Sequence, residues 1–207
     1  RTCDVEPGVV WKDLNEELSR HGLASRICPT SGPSSTVGGM FAMGGVGIGS
    51  YRYGSILDCV EEIDVVDPDG TMRTVKGHEL SVYAFSQGTL GIITELTLKL
   101  IPKPNMDVSL ILPFADVETA IASVPQIKLA NLDPQSIEFM ERDIVDSSAA
   151  FTGNSVFPTV VNGKEAGAYI LVTLVGDSEA ELTAKMDCLG ELAEKCGAYD
   201  TLVVWTD

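Results

Sequence analysis

The sequence predicts an α+β fold of mainly antiparallel sheet with flanking helices, arranged in two successive parts. Three observations carry this. Residues 61–66 and 71–75 are β-rich runs joined by Asp67-Pro68-Asp69-Gly70, a hairpin signature. Residues 92–101 alternate, with Thr94, Thr97 and Lys99 on one side, and stop at Pro102. After Pro102-Lys103-Pro104 a β-α-β pattern occurs twice, which predicts a second sheet covered on one face by helices.

Taken in order, Thr2-Cys3-Asp4-Val5-Glu6 reads as an opening strand and Pro7-Gly8 as a turn. Val10, Leu14 and Leu18 recur at helical spacing against Lys12, Asp13, Glu16, Glu17 and Arg20, and Gly22 closes that helix. A loop with Pro29, Gly32 and Pro33 leads to Ser34 and Ser35, which are expected to cap a short helix near Val37. Residues 79–85 read as another short helix. X-Pro pairs extend the chain, so Pro102-Lys103-Pro104 marks the boundary between parts 1–103 and 104–207. The second part reads as a strand (108–112), a helix from near Asp116, a strand (136–140) and a polar Gly/Asn loop. A strand (168–175), a helix (178–196) and a last strand (201–205) follow. Leu182, Met186, Leu189, Ala193 and Cys196 make the apolar stripe of that last helix.

Composition bounds the function. A net charge of −16 disfavours nucleic-acid phosphates and anionic membranes, and no apolar run reaches the ~20 residues that span a bilayer. The five cysteines (Cys3, Cys28, Cys59, Cys188, Cys196) include no CxxC pair, which suits a reducing cytoplasm better than a disulfide framework or zinc site. With only His21 and His78, no histidine-rich metal site is expected.

Two glycine-rich stretches are the chemical signal. Eight glycines lie between Gly32 and Gly54, and Gln87-Gly88-Thr89-Leu90-Gly91-Ile92-Ile93-Thr94 forms the second stretch. Such runs let a ligand approach backbone N–H groups closely, and a phosphate is the natural occupant. There is no GxxxxGK[ST] motif, and Gly45-x-Gly47-x-Gly49 is not the dinucleotide fingerprint.

The order of motifs is more specific than either run. Glu6-Pro7-Gly8-Val9, His21-Gly22-Leu23, Thr36-Val37-Gly38-Gly39, Arg52-Tyr53-Gly54, Val66-Asp67-Pro68-Asp69-Gly70, Gly88-Thr89-Leu90-Gly91-Ile92-Ile93-Thr94 and Pro102-Lys103-Pro104 follow one another over residues 1–104. This series resembles the FAD-linked oxidase family (vanillyl-alcohol oxidase/p-cresol methylhydroxylase type), on the branch of the glycolate oxidase FAD subunit and D-lactate dehydrogenase. Ser136-Ile137-Glu138-Phe139-Met140-Glu141 resembles the start of that branch's substrate (cap) domain.

The resemblance implies that 1–103 is the C-terminal lobe of a PCMH-type FAD-binding domain and 104–207 part of a ferredoxin-like cap domain. It implies an interior fragment, with an N-terminal diphosphate-gripping lobe and a C-terminal segment of catalytic and metal-binding histidines outside the chain. Catalytic residues are therefore expected elsewhere, and the fragment is expected to turn over no substrate. The implied FAD contacts are Pro29, Thr30 and Ser31 along the cofactor, and Ser35 and Thr36 as donors. Gly38 and Gly39 lie against the diphosphate, Gly45 and Gly47 near the flavin, and Gly88, Gly91, Ile92 and Ile93 at its adenine or ring edge. Arg52 is a candidate for a phosphate or a substrate carboxylate.

Three departures leave the substrate open: Ala42-Met43-Gly44-Gly45-Val46-Gly47 for Ala-Thr-Asn-Ala-Gly-Gly, Phe85-Ser86-Gln87-Gly88 for Gly-Ser-Glu-Gly, and Gly77-His78-Glu79-Leu80 for Gly-Tyr-Asp-Leu. Among remaining residues, His78 reads as a solvated turn residue and His21 as a partner of the helix macrodipole. Cys59 reads as a core thiol, Glu16-Glu17 and Glu61-Glu62 as solvated faces, and Trp11 and Trp205 as packing residues. The expected parent activity is FAD-dependent oxidation of a small 2-hydroxy acid such as glycolate or D-lactate, with an electron-transfer protein as a candidate partner and a homodimer left open. A cofactor-free interaction subunit and a flavin-dependent alcohol oxidase are the alternatives. Met40, Met43 and Phe85 filling the cleft beside Gly38 and Gly39 would mark the first of these.

Overall fold

The computed structural model describes residues 1–204, so the packing expected of Trp205 lies outside the described residues. The chain divides into two compact units, Arg1–Lys103 and Pro104–Asp207.

In the first unit the order is β1 (Thr2–Val5), α1 (Trp11–Arg20), β2 (Leu23–Ser25), α2 (Val37–Ala42), α3 (Ser50–Tyr53), α4 (Ile56–Cys59), β3 (Val60–Val66), β4 (Met72–Lys76), α5 (Leu80–Tyr83) and β5 (Ile92–Pro102). Every pairing is antiparallel: the sheet runs β1-β5-β3-β4, and β2 joins the far end of β5. Along β5 Leu96, Leu98 and Leu100 are buried and the residues between them are not. They share a core with Ile63 and Val65 of β3, Trp11, Leu14 and Leu18 of α1, and Phe41 of α2.

α2 shows which force forms these short helices. Six residues with two glycines cannot hold a helix by propensity, since each glycine costs about 1 kcal/mol against alanine. Burying Val37, Met40 and Phe41 returns about 1.5–3 kcal/mol each, so packing wins. Its N-cap is Thr36, whose hydroxyl accepts the Gly39 N–H at 3.2 Å, and not Ser34 or Ser35 as expected. Those serines close their own turn onto the Ser31 carbonyl.

The second unit runs β6 (Met106–Phe114), α6 (Val117–Leu129), β7 (Ser136–Glu141), α7 (Arg142–Thr152), the small hairpin β8 (Val160–Val161) and β9 (Lys164–Glu165), β10 (Ala168–Gly176), α8 (Glu179–Lys195) and β11 (Leu202–Val204). Sheet order β11-β6-β10-β7, all antiparallel, is the split β-α-β arrangement of the ferredoxin type. Asp116 and Ser178 cap α6 and α8 by accepting the amides of Thr119 and Glu181. These helices cover one face, where Ala120, Ile127, Leu182 and Leu189 meet Leu110, Leu112, Ile170 and Val172.

The opposite face is covered too, which the sequence reading did not anticipate. Val145 of α7 packs with Ile111, Ala166 and Tyr169. α7 stands where a polar loop is expected. Its serines and Thr152 are poor helix formers and only Val145 is buried, so its apolar period is too weak to read. Arg142 holds its first turn by pairing with Asp146 at 2.8 Å and donating to the Ala166 carbonyl.

Candidate cofactor site

The glycine runs meet in the first unit. The Cys28 and Ile48 amides and carbonyls bond each other at 2.9 Å, which lays the loop Pro29-Thr30-Ser31 against Gly47. A Cβ on Gly47 would run into the Cys28 carbonyl and Pro29. From the second run, the Gln87 N–H donates to the Ala42 carbonyl at 2.9 Å, and the Phe85 ring fills the space beside Gly44. Gly44 has φ +64, a backbone region that disfavours any residue with a Cβ.

The amides expected to be bare at the start of α2 are engaged. Val37 N–H donates to Val9, Gly38 N–H to Pro7 and Gly39 N–H to Thr36 Oγ1. In return the first amides of α1, Trp11 and Lys12, donate to the carbonyls of Ser35 and Gly32. Each helix start is thus capped by the chain that precedes the other. Gly38 is glycine because Pro7 lies against it, with Pro7 Cα 2.9 Å from where a Cβ would stand. The expectation that Gly38 offers its amide to a diphosphate is therefore corrected: the donor is spent and the face is filled.

Other expected residues remain presented. Thr30, Ser31 and Gly39 are exposed, and the Ser31 and Ser35 hydroxyls sit 2.6 Å apart at the surface. Gly45 packs on Met40, while Gly88 is exposed with φ +74. Ile92 is 70% exposed at the mouth of β5, and Ile93 turns inward onto the core. Val65, the Val66 carbonyl and the Tyr83 ring fill the space that a Cβ on Gly91 would need. Arg52 is half-buried on α3. Exposed Met43 and Phe85 bring apolar surface beside Gly44.

The profile of the FAD binding domain family matches residues 1–76, and that of the FAD linked oxidases C-terminal domain matches 103–207. The chain belongs to the FAD-linked oxidases. A D-lactate dehydrogenase of Anaerostipes hadrus is 38% identical over 98% of this chain and 44% of its own length. Glycolate oxidase subunit GlcD of Bacillus subtilis is 31% identical over 68% of this chain and 32% of its own. The chain spans less than half the length of these curated relatives. Among solved structures, an alkyldihydroxyacetonephosphate synthase superposes with TM-score 0.78 at 20% identity, over 99% of this chain and 40% of that one, which is a likeness of fold.

The residues of this FAD-linked oxidase fit one side of a flavin nucleotide. The hydroxyls of Ser31 and Ser35 beside the exposed Gly39 are neutral donors suited to a phosphate or ribityl chain. The apolar faces of Met43, Phe85 and Ile92 suit a flat ring. Among the described residues no cluster of three His, Cys, Asp or Glu side chains could hold a metal ion, and no helix is long and apolar enough to cross a membrane.

His78 is exposed, and His21 lies at a helix end with its Nε2 3.1 Å from Glu17. Glu62 is not merely solvated, since it pairs with Lys76 across the hairpin. Cys59 is a buried thiol, pushed up to about 11 by burial. Sequence reasoning missed a side-chain cluster around Tyr83. Asp67, Arg73, Glu79 and Tyr83 come from the hairpin, its second strand and the residues around α5, and no local pattern announces their meeting.

Proposed function

We propose that this chain forms one wall of the catalytic centre of an FAD-dependent dehydrogenase of small 2-hydroxy acids, of the glycolate or D-lactate type. In this reading residues 1–103 are the C-terminal lobe of the FAD-binding domain and 104–207 belong to the substrate (cap) domain. The observation that carries it is the junction of the two glycine runs, at Phe85 on Gly44 and Gln87 on Ala42, inside a unit matched by the FAD binding domain profile. The 38% identity to a D-lactate dehydrogenase supports the substrate class.

When bound, the flavin supplies the two-electron acceptor for the substrate carbon that carries the hydroxyl. The residues here bind and orient. Ser31, Ser35 and Thr36 offer hydroxyls to the polar tail of FAD, Gly39 and Gly88 leave room for it, and Met43, Phe85 and Ile92 keep water from the ring edge. Gly45, Gly47, Gly91 and Ile93 shape the backbone behind these groups, and Arg52 is the cation offered to a phosphate or a substrate carboxylate. An electron-transfer protein and a second copy of the chain are the partners this reading admits, and five free thiols suit a cytoplasmic setting.

One observation favours a second reading, that of a cofactor-free subunit. Pro7 fills the face of Gly38 and its carbonyl takes the Gly38 amide. Anaerobic bleaching of flavin absorbance in the full-length protein, screened with D-lactate, glycolate, 2-hydroxyglutarate and aryl alcohols, separates these readings. Bleaching by a 2-hydroxy acid is the expected result. Bleaching only by an aryl alcohol moves the protein to the alcohol oxidases, and a purified protein that takes up no flavin supports the cofactor-free subunit.

A further inference from the structure

Tyr83 is the hub of a polar cluster that the site described above does not use. Its ring is 4% exposed. Its hydroxyl donates to Asp67 Oδ1 at 2.5 Å and accepts from Arg73 Nη2 at 2.7 Å. Arg73 also donates through Nε to Asp67 Oδ2 at 2.7 Å and through Nη1 to Glu79 at 3.2 Å, and its guanidinium stands 5.6 Å over the Tyr83 ring. The hairpin turn, β4 and α5 are thereby tied at one point by charge-assisted bonds.

The chain leaving this point is strained. Phe85 and Gln87 have φ of +66 and +55, followed by Gly88 at +74. Left-handed backbone at residues with side chains persists only where surrounding contacts over-determine it. Gln87 is held by the Ala42 carbonyl in the middle of the stretch. Tyr83 serves both ends: it precedes the stretch in the chain, and its Cε1 lies 3.3 Å from where a Cβ on Gly91 would stand, with Val65 Cγ2 2.8 Å from the same point. The ring and the strand leave no room for a side chain at residue 91.

We propose that Tyr83, locked by Asp67 and Arg73, is a positioning residue for residues 84–91, and that the lock sets where the main chain of Gly88 to Ile92 meets the flavin. The second half rests on the proposed function; the first half does not. The lock is a device for holding a strained loop, and its variable is loop geometry.

The test compares wild type with Tyr83→Phe in the full-length protein, by amide hydrogen exchange and by steady-state kinetics of the flavin-loaded enzyme. Phenylalanine keeps the ring against Gly91 and removes only the hydroxyl. Amides of residues 85–91 are expected to exchange at least about tenfold faster while Leu96 to Leu100 are unchanged. In the loaded enzyme kcat is expected to fall about tenfold with KM within about twofold, the mark of a misplaced reacting geometry. Arg73→Lys keeps the charge, loses the forked donor set, and moves the same amides by a smaller factor. Thr74→Val, which removes the 2.6 Å bond from Thr74 Oγ1 to Asp64 in the same hairpin, is expected to leave the loop unchanged.

Loop exchange in Tyr83→Phe within about twofold of wild type overturns the lock, as does an equal effect from Thr74→Val. Faster exchange with unchanged kcat overturns the flavin half alone. A wild-type protein that binds no flavin removes the proposed function, and with it that half, while the exchange result still decides the lock.

Discussion

The phenyl ring of Phe85 lies against Gly44, in the space a Cβ at that position would need. Beside it the Gln87 amide reaches the Ala42 carbonyl, so two glycine-rich runs far apart in sequence share one junction. The glycine at 44 thus serves a turn and a side chain together.

Gly44→Ala is therefore expected to cost about 1–3 kcal/mol for the left-handed backbone and a similar amount for overpacking against Phe85. Phe85→Ala in the Gly44→Ala background recovers only the second share. Urea unfolding of the two single variants and the double variant checks this, and strictly additive losses would show that the ring does not press on residue 44.

Thr36 and Ser35 are distinguishable as caps. Thr36→Ala is expected to destabilise by about 0.5–2 kcal/mol and Thr36→Ser to be nearly neutral, because the accepted bond from the Gly39 amide is kept. Ser35→Ala is expected to stay within about 0.5 kcal/mol, since among the described residues its hydroxyl meets that of Ser31 at the surface. Thermal unfolding of the three variants ranks them.

Acid weakens the first unit through Asp67. Hydrogen bonds from Tyr83 and then Arg73 hold its carboxyl below the usual carboxylate range. A depressed folded value contributes stability above the unfolded value of about 4 and loses it as pH falls through the folded value. The midpoint of urea unfolding should fall as pH drops below the ordinary carboxylate range, and Asp67→Asn should flatten that fall. An unchanged slope in the variant would remove Asp67 as the cause.

The five thiols should react in an order set by exposure. Cys188 is exposed and Cys59 is buried, with its thiol pushed up to about 11 by burial. Iodoacetamide at pH 8 followed by peptide mass spectrometry is expected to label Cys188 first and Cys59 last, with the order lost in denaturant. Early labelling of Cys59 would contradict its burial.

In the second unit Leu189 of α8 is fully buried against the sheet. Leu189→Ala is expected to cost about 2–5 kcal/mol by chemical denaturation. A loss under about 1 kcal/mol would mean that α8 does not close that core.

Much of the fold was legible because its signals are local. The alternation of β5 around Leu96, Leu98 and Leu100, the Asp67-Pro68-Asp69-Gly70 hairpin and the Leu182–Leu189 stripe each follow from the period of one element, read within a short window. Candidate cofactor residues were legible as glycines and hydroxyls in order, which indicates room for a close approach without saying what approaches. At Gly38 the answer is Pro7, and at Gly44 it is Phe85.

From the sequence alone came the class of fold, the longer strands, the helices α1, α2, α5, α6 and α8, and the kinship with flavin oxidases. Folding in three dimensions decided which donors are spent at the starts of α1 and α2, which face α7 covers, and that Asp67, Arg73 and Tyr83 meet. The physical reason is that periodicity is a property of neighbours along the chain. A hydrogen bond between Gly38 and Pro7, or a carboxylate in a hairpin turn meeting a phenol on α5, depends on partners that only the packed fold brings within 3 Å of one another.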